Sequence, residues 1–472
     1  MERAVADKKA IVLGAGVTGL ATGWRLARNG YQVTVIEKAG QVGGLAGTID
    51  WDGWKFDFGA HSFHTRHPEI TALYKELLGD RFLHLEDLAT KIFIFGKLVN
   101  YPLVGAHILT VLDTPTMVRA GADFLFTRLK SLVRGIEPTD RLDEWIIRRF
   151  GTVLYKVYFA HYIERIQKTD PRLLSSDLGA KKIPIFSIRQ YLLREITKSR
   201  KRHPEDVMTL EYYYARDGYG QLSECFHRRI LELGGRVNVG ESLVQAEVEK
   251  REVVGLRTDR AYYDCRGCDV VSTIPLGSLI NSVRDCDPGV ARAADSLRTA
   301  QMRFLLMKVD KPKVMGYRWV NFSDLKFPFY RVSESVSDVF NMVPENKCSL
   351  VFEVPVNEGD ALWRMDDESL ADLIIPLFGE AFELARRDVI AVKSLFASHA
   401  TPIMSLEYRA SLRSVFDYLG NVANLHSLGR QGMFTYVNVD GCTKMALEFA
   451  DSLVRGEAKE HSRDLLRAVH GI

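Results

Sequence analysis

An early group of glycines and one carboxylate has the composition and spacing that bind a diphosphate. Gly14, Gly16 and Gly19 follow the apolar residues 10–13, and Glu37 ends a second apolar stretch about 20 residues further on. Gly14 permits a tight turn, Gly16 lets backbone N–H groups approach a pyrophosphate, and Gly19 lets a helix pack against the strand. The pattern predicts a strand–turn–helix–strand unit that binds a dinucleotide, with the helix N-terminus supplying partial positive charge. The residues predicted to contact the dinucleotide are Gly14, Gly16, Val17, Thr18, Gly19, Glu37 and Lys38.

Two further glycine-containing segments extend this predicted site. The first follows Glu37 closely and lets the chain pass near the pyrophosphate toward a ring system, which a nicotinamide enzyme does not require. The second lies near the C-terminus, where a short strand runs into a glycine turn and a helix begins about ten residues later. The residues predicted to contact the cofactor here are Gly43, Gly44, Leu45, Gly429, Arg430, Asp440, Gly441 and Cys442.

The order of these segments resembles the flavoprotein group that includes amine oxidases, protoporphyrinogen oxidase, phytoene desaturases and UDP-galactopyranose mutase. The resemblance implies FAD as the cofactor. It also implies that the helix opening at Asp440 aims its N-terminal amides at the pyrimidine edge of the flavin, where negative charge develops on reduction.

Several shorter strings are similar to UDP-galactopyranose mutase in particular. Residues 59–65 read G-A-H-S-F-H-T, which resembles the mutase string G-A-H-x-F-H-T beside the flavin. Weaker matches follow in the same order at residues 95–102, 181–186, 321–331 and 429–436. The matches extend over most of the chain.

The mutase resemblance implies a role for each matching residue. Arg331 and Arg430 match an arginine pair that holds the substrate diphosphate, as guanidinium groups can fork onto phosphate oxygens. Tyr436 matches a tyrosine that donates to the diphosphate, and Asn100 matches an asparagine near sugar and flavin. His61, like His64, is expected to hold the turn beneath the flavin rather than bind a metal. The implied reaction is a ring-contracting isomerisation of a nucleotide-activated sugar through N5 of reduced flavin.

Three departures from the mutase pattern leave the substrate open. Phe186 stands where the family has a substrate-binding arginine, Gln167 replaces a tryptophan that stacks on uracil, and Asn438 replaces an acid. Phe186 makes the substrate site more apolar, and the apolar residues 103–112 are able to line a lipophilic entrance. The alternative hypothesis is therefore an FAD-dependent oxidase or dehydrogenase of the amine-oxidase or protoporphyrinogen-oxidase type, acting on an apolar substrate.

Composition limits the class of protein. The 472 residues carry a formal net charge of +3, which is too small to indicate a nucleic-acid partner. Six cysteines are too few for a disulfide framework and favour a reducing, cytoplasmic compartment. No apolar stretch is long enough for a transmembrane segment. The predicted partners are a small-molecule substrate, in the first interpretation a nucleotide sugar, and a reductant for the flavin. A homodimer is a further possibility.

The helices and strands predicted around these residues indicate an α/β fold with three parts. The first is a discontinuous Rossmann-type FAD-binding domain from residues 1–75, 215–280 and 405–472. A helical domain is predicted over residues 103–170. The remainder, residues 76–102, 171–214 and 281–404, is predicted to form a mostly antiparallel β-sheet that covers the flavin.

Two local predictions concern the helical domain and the sheet. A helix capped by Thr114 is expected to bury Met117, Phe124, Leu125 and Leu129 in the core. A second helix over residues 142–150 is expected to end at Gly151, and a helix near residues 368–378 to cover the sheet.

Overall fold

The computed structural model describes residues 8–85, 90–100, 111–135, 137–182 and 211–472. Phe186 and residues 103–110 lie outside this range. The strands in the described part are β1 (Lys9–Leu13), β2 (Gln32–Glu37), β3 (Thr48–Trp51), β4 (Trp54–Asp57), β5 (Phe82–Leu85), β6 (Thr90–Ile94), β7 (Lys97–Asn100), β8 (Tyr212–Ala215), β9 (Arg236–Val239), β10 (Leu243–Glu249), β11 (Glu252–Thr258), β12 (Tyr262–Asp264), β13 (Cys268–Ser272), β14 (Thr299–Val309), β15 (Trp319–Phe322), β16 (Arg331–Val336), β17 (Cys348–Val356), β18 (Val389–Pro402) and β19 (Leu425–Ser427).

The α-helices of the same ranges are α1 (Val17–Arg28), α2 (Pro68–Leu78), α3 (Thr114–Arg134), α4 (Leu142–Phe150), α5 (Thr152–Leu154), α6 (Ala160–Gln167), α7 (Ser176–Lys182), α8 (Gln221–Glu232), α9 (Leu276–Ser282), α10 (Pro288–Ser296), α11 (Ala361–Arg364), α12 (Asp367–Phe378), α13 (Tyr408–Gly420), α14 (Gly429–Gly432), α15 (Val439–Arg455) and α16 (Ala458–His470). None of these helices is both long and apolar enough to cross a membrane.

A five-stranded parallel sheet of order β19-β13-β1-β2-β9 forms the Rossmann-type part of the fold. Leu13 pairs with Ile36 on one side and with Ser272 on the other, and Ser272 pairs with Ser427. Because parallel strands present their carboxyl ends at one edge, the segments that follow β1, β2 and β19 meet there. The predicted α/β fold class is confirmed.

Helix α1 lies on this sheet and packs against α15 from the far end of the chain. Helix α1 ends at Arg28, and Gly30, two residues later, has a φ of +84° that suits the end of a helix. The Arg25 guanidinium forks onto the Asp451 carboxylate of α15, with N–O distances of 2.7 and 3.0 Å. The first and last parts of the cofactor site are therefore fixed to each other.

A seven-stranded sheet of order β18-β14-β17-β16-β15-β6-β7 faces the Rossmann part. Its pairs are antiparallel except for β15 and β6, so the predicted mostly antiparallel sheet is present. The predicted helix near residues 368–378 is α12. Asp366 caps it by accepting the Ser369 N–H at 2.9 Å.

Helices α3 to α6 correct part of the prediction for the helical region. Asp113 rather than Thr114 is the N-cap residue of α3. Met117 and Phe124 pack inward as predicted, but Leu125 and Leu129 are exposed. The reason is that α3 packs along one side only, so a second row of apolar residues faces outward. Helix α4 ends at Gly151 with a φ of +87°, as predicted.

Candidate active site

The turn after β1 is closely packed at two glycines and open at the third. A Cβ on Gly14, whose φ is +98°, would lie 2.6 Å from Thr273 Oγ1, and one on Gly19 would lie 2.0 Å from the Gly14 carbonyl oxygen. A Cβ on Gly16 would meet no heavy atom of the described residues within 4 Å. Gly16 thus borders open space at the start of α1, beside Val17 and Thr18, where a pyrophosphate would approach.

Glu37, at the end of β2, turns its carboxylate toward the same turn. One oxygen accepts the Ala15 N–H at 2.7 Å, and the other accepts the Ala39 N–H at 2.8 Å. These two bonds fix the carboxylate at the edge where a ribose would lie. Lys38 follows as an exposed side chain.

The second glycine cluster lies directly against the first. The Gly43 N–H donates to the Ala15 carbonyl at 2.8 Å, and Gly43 has a φ of +108°. A Cβ on Gly44 would lie 3.6 Å from the Gly16 Cα, and Leu45 packs against the main core. The structure therefore brings both glycine segments together.

The C-terminal segment completes this edge of the sheet. Gly429 has a φ of +79°, and a Cβ there would lie 2.6 Å from Thr18 Oγ1. Asn438 precedes α15 but makes no side-chain cap, and Asp440 and Gly441 lie in the first turn of the helix. Cys442 is buried behind them, and burial raises the pKa of its thiol.

The predicted histidine turn is held by aromatic stacking. The His61 ring stacks on Tyr219 with centroids 4.5 Å apart, and Phe63 stacks on Tyr219 at 4.1 Å. His61 Nε2 lies 3.1 Å from the Phe58 carbonyl oxygen, so this nitrogen carries the hydrogen. Burial lowers the pKa of His61 to about 4, and the ring is neutral near pH 7.

His64 lies on the other side of this turn. Its Nδ1 is 3.1 Å from the Ser62 hydroxyl oxygen, and burial lowers its pKa as well. Asp440 of α15 opposes that shift by raising the pKa of His64. His64 is therefore close enough to the N-terminus of α15 to respond to its charges.

Arg331 is paired with a buried carboxylate. Its Nε and Nη2 donate to the two oxygens of Glu353, at 2.6 and 2.8 Å. The Glu353 side chain is 3% exposed and also accepts the Ala60 N–H at 3.0 Å and the Tyr330 hydroxyl at 2.5 Å. Burial alone would lower the pKa of Arg331, but the Glu353 charge outweighs it and holds that pKa well above its ordinary value.

Arg430, in contrast, has no carboxylate partner among the described residues. Its Nη2 donates to the Ala400 carbonyl at 2.8 Å, and its guanidinium lies 4.6 Å from the centroid of the Tyr436 ring. Its Nε is buried without a hydrogen-bond partner. Burial is the main cause of the low pKa of His61, and the charges of Arg331 and Arg430 both lower it further.

Other predicted residues are not brought into this group. Asn100 is exposed at the end of the edge strand β7, where its side-chain oxygen accepts from Lys91 Nζ. Gln167 is buried at the end of α6 and offers no exposed surface for a base to stack on. Phe186 lies outside the described residues. The predicted substrate contacts of Asn100 and Phe186 stay predictions.

Glu353 and Tyr219 are the two residues of this group that sequence reasoning missed. A signal for Glu353 exists, because it is the only charged residue in the buried strand β17. A charge in such a strand requires a partner, and the arginine that opens the neighbouring strand β16 is that partner. Tyr219 carries no such signal, since aromatic residues are common in any core.

Comparison with known proteins agrees with this architecture. A family model described as "Flavin containing amine oxidoreductase" matches residues 17–450. The chain is 29% identical over 178 residues to protoporphyrinogen oxidase 2, chloroplastic/mitochondrial, of Arabidopsis thaliana, which is 36% of this chain and 35% of that protein. The chain thus matches about a third of the length of this curated relative.

Two solved structures share the fold over nearly the whole chain. Reduced UDP-galactopyranose mutase superposes with a TM-score of 0.80 at 16% identity, covering 98% of both chains. A putative protoporphyrinogen oxidase from Exiguobacterium sp. 255-15 superposes with a TM-score of 0.72 at 17% identity, covering 96% of this chain and 100% of that one. At these identities the likeness shows the fold alone.

Proposed function

The chain belongs to the flavin-containing amine oxidoreductase family, and from this premise we propose that it isomerises a nucleotide-activated sugar with reduced FAD. FAD is the cofactor, in agreement with the family match and with the fold likeness to UDP-galactopyranose mutase. The choice of reaction within the family is the proposal.

The residues at the edge of the parallel sheet fit FAD. The open space at Gly16 and the N-terminus of α1 suit the pyrophosphate, Glu37 suits the ribose, and the uncapped start of α15 suits the flavin end. The chemistry that bound, reduced FAD supplies is nucleophilic attack by N5 on the anomeric carbon of the sugar. A reductant for FAD is therefore part of the proposal.

Arg430 is the observation that carries the proposal. Arg430 is half-buried, its Nε is buried without a hydrogen-bond partner, and no carboxylate of the described residues pairs with it, so an anion would stabilise its charge. Its planar donors suit phosphate oxygens, and Tyr436 lies against it. An oxidase of a neutral lipophile has no need for a second arginine that lacks a carboxylate partner, whereas a sugar diphosphate supplies the missing negative charge.

His61 and Glu353 set the shape of this site. Neutral His61 stays stacked on Tyr219 and donates to the Phe58 carbonyl, so it orients the turn without adding charge. Glu353 fixes the direction of Arg331 through two hydrogen bonds and ties it to the Ala60 backbone. Of the two arginines, Arg430 is therefore the one whose charge no carboxylate of the described residues neutralises by a salt bridge.

The test is turnover of UDP-, GDP-, CDP- and dTDP-sugars by oxidised and reduced enzyme, with the products separated by anion exchange. We expect an isomer of unchanged mass from the reduced enzyme only. Arg430→Ala should abolish isomer formation while FAD stays bound, and Arg455→Ala, at an exposed position on α15, should leave it unchanged. Absence of an isomer from every sugar would contradict the proposal.

A second candidate is an FAD-dependent oxidase or dehydrogenase of an apolar substrate. The observation that favours it is the Arg331–Glu353 pair, which leaves one of the two predicted phosphate-binding arginines neutralised. The partial match to protoporphyrinogen oxidase 2 agrees with this alternative. Its test is anaerobic mixing of oxidised enzyme with a porphyrinogen, because hydride transfer bleaches the flavin absorbance and a sugar isomerase leaves it unchanged.

A further inference from the structure

Helix α3 carries an exposed apolar stripe along its whole outer side. The exposed fractions of Phe126, Leu132 and Val133 are 68, 83 and 85%. Residues seven apart point in nearly the same direction on a helix, so the members of the stripe form adjacent rows rather than scattered positions. The stripe consists of Val118, Ala122, Leu125, Phe126, Leu129, Leu132 and Val133.

The opposite side of α3 is the one that packs on the protein. Ala120 is fully buried, and Met117 and Phe124 contact a small core formed with Leu112 and Leu154. The only acid of the helix, Asp123, also turns inward and accepts the Val153 N–H at 2.8 Å. Folding of the described chain therefore uses one apolar side of α3 and leaves the other uncovered.

Basic residues follow both edges of the stripe. Arg119 and Lys130 are exposed beside the row of Phe126 and Val133. On the other edge Arg128 lies three residues after Leu125; it is half-buried, with its Nε covered and its guanidinium 5.3 Å from the Phe124 ring centroid. With its one acid turned inward, the outer side of the helix is apolar in the middle and positive at its edges.

We propose that α3 lies in the surface of an anionic phospholipid bilayer, with its apolar stripe among the acyl chains and its basic edges at the headgroups. An apolar face flanked by lysine and arginine is the pattern of helices that lie in the membrane interface. The 21 residues of α3 extend about 31 Å along the surface at 1.5 Å per residue. The charge of the helix favours an anionic membrane over a second copy of the chain, because the basic edges of two such helices would repel each other in a dimer.

The test uses flotation of the full-length FAD-loaded protein with vesicles of phosphatidylcholine, alone or mixed with phosphatidylglycerol. We expect binding to the mixed vesicles only, weakened at least about tenfold by Leu125→Glu combined with Leu132→Glu. The control combines Leu231→Glu with Leu373→Glu, which changes two exposed leucines on other helices and should leave binding intact. FAD content and far-UV circular dichroism verify that each variant folds.

Two further measurements separate the electrostatic contribution from the apolar one and test whether a second copy of the chain covers the stripe instead. Arg119→Gln combined with Lys130→Gln should reduce binding to mixed vesicles about tenfold or more and flatten its salt dependence. Equal binding to both kinds of vesicle, or binding that survives the glutamate substitutions, would overturn the proposal. So would a lipid-free dimer that the glutamate substitutions convert to monomer. These readouts are independent of the reaction proposed above.

Discussion

Replacement of Glu353 by Gln should destabilise the protein by leaving Arg331 without its counter-charge. Removal of one partner from a buried ion pair costs about 3–5 kcal/mol. Because the Arg331 side chain is 26% exposed while that of Glu353 is 3% exposed, we expect the lower end, about 3 kcal/mol. The amide can still accept one hydrogen bond, so the Ala60 N–H and Tyr330 hydroxyl do not both lose their acceptor.

The assay is urea unfolding at a fixed FAD concentration, followed by flavin fluorescence and by circular dichroism so that coincident transitions can be checked. A double-mutant cycle with Arg331→Met isolates the pair, and we expect a coupling of about 2–3 kcal/mol. The exposed pair Arg455–Glu457, with a similar N–O distance of 2.7 Å, is the control and should contribute less than about 1 kcal/mol. A Glu353→Gln variant within about 0.5 kcal/mol of wild type would refute the reasoning.

Three other outcomes follow from the site. Neutral, half-buried His61 must bind a proton in acid, so its contribution to stability is present above pH 6.5 and is lost as the pH falls toward its pKa of about 4. His61→Gln should reduce the acid-induced loss by about 3 kcal/mol in urea titrations at several pH values. Gly16→Ala should leave apoprotein stability within about 0.5 kcal/mol but weaken FAD binding about tenfold or more, measured by flavin fluorescence titration, because only the pyrophosphate approaches that carbon. Gly429→Ala should lower stability more than Gly456→Ala in thermal unfolding, since both have a φ near +80° but only the former places a methyl group against Thr18.

The cofactor edge was predictable because Gly14 and Gly19 are required by close packing and Gly16 leaves space at the start of the helix. Gly14, Gly16 and Gly19 have fixed separations within one strand–turn–helix unit, so position in sequence nearly determines position in space. The position of Gly429 was harder to predict from the sequence, because its contact Thr18 is distant in sequence. Only the glycine turn after a short apolar strand indicated that the C-terminus returns to the sheet.

The features of the structure that were predicted wrongly or missed from the sequence also have physical causes. Leu125 and Leu129 were assigned to the core because a 3.6-residue period identifies a helix but does not say how many of its sides are covered. The Arg331–Glu353 pair depends on the antiparallel register of β16 and β17, where these two residues are direct partners. Register between strands comes from tertiary pairing, and no local propensity of either strand specifies it.

The contact between Arg25 and Asp451 joins residues 426 positions apart, which has a consequence for biosynthesis. Helix α1 is translated long before α15, which covers it, and before α14, which begins at Gly429. Non-local pairing of this kind slows folding and exposes apolar surface in the interval. The FAD pocket therefore cannot be complete before translation has passed residue 455, and until then FAD binding competes with aggregation of the incomplete chain.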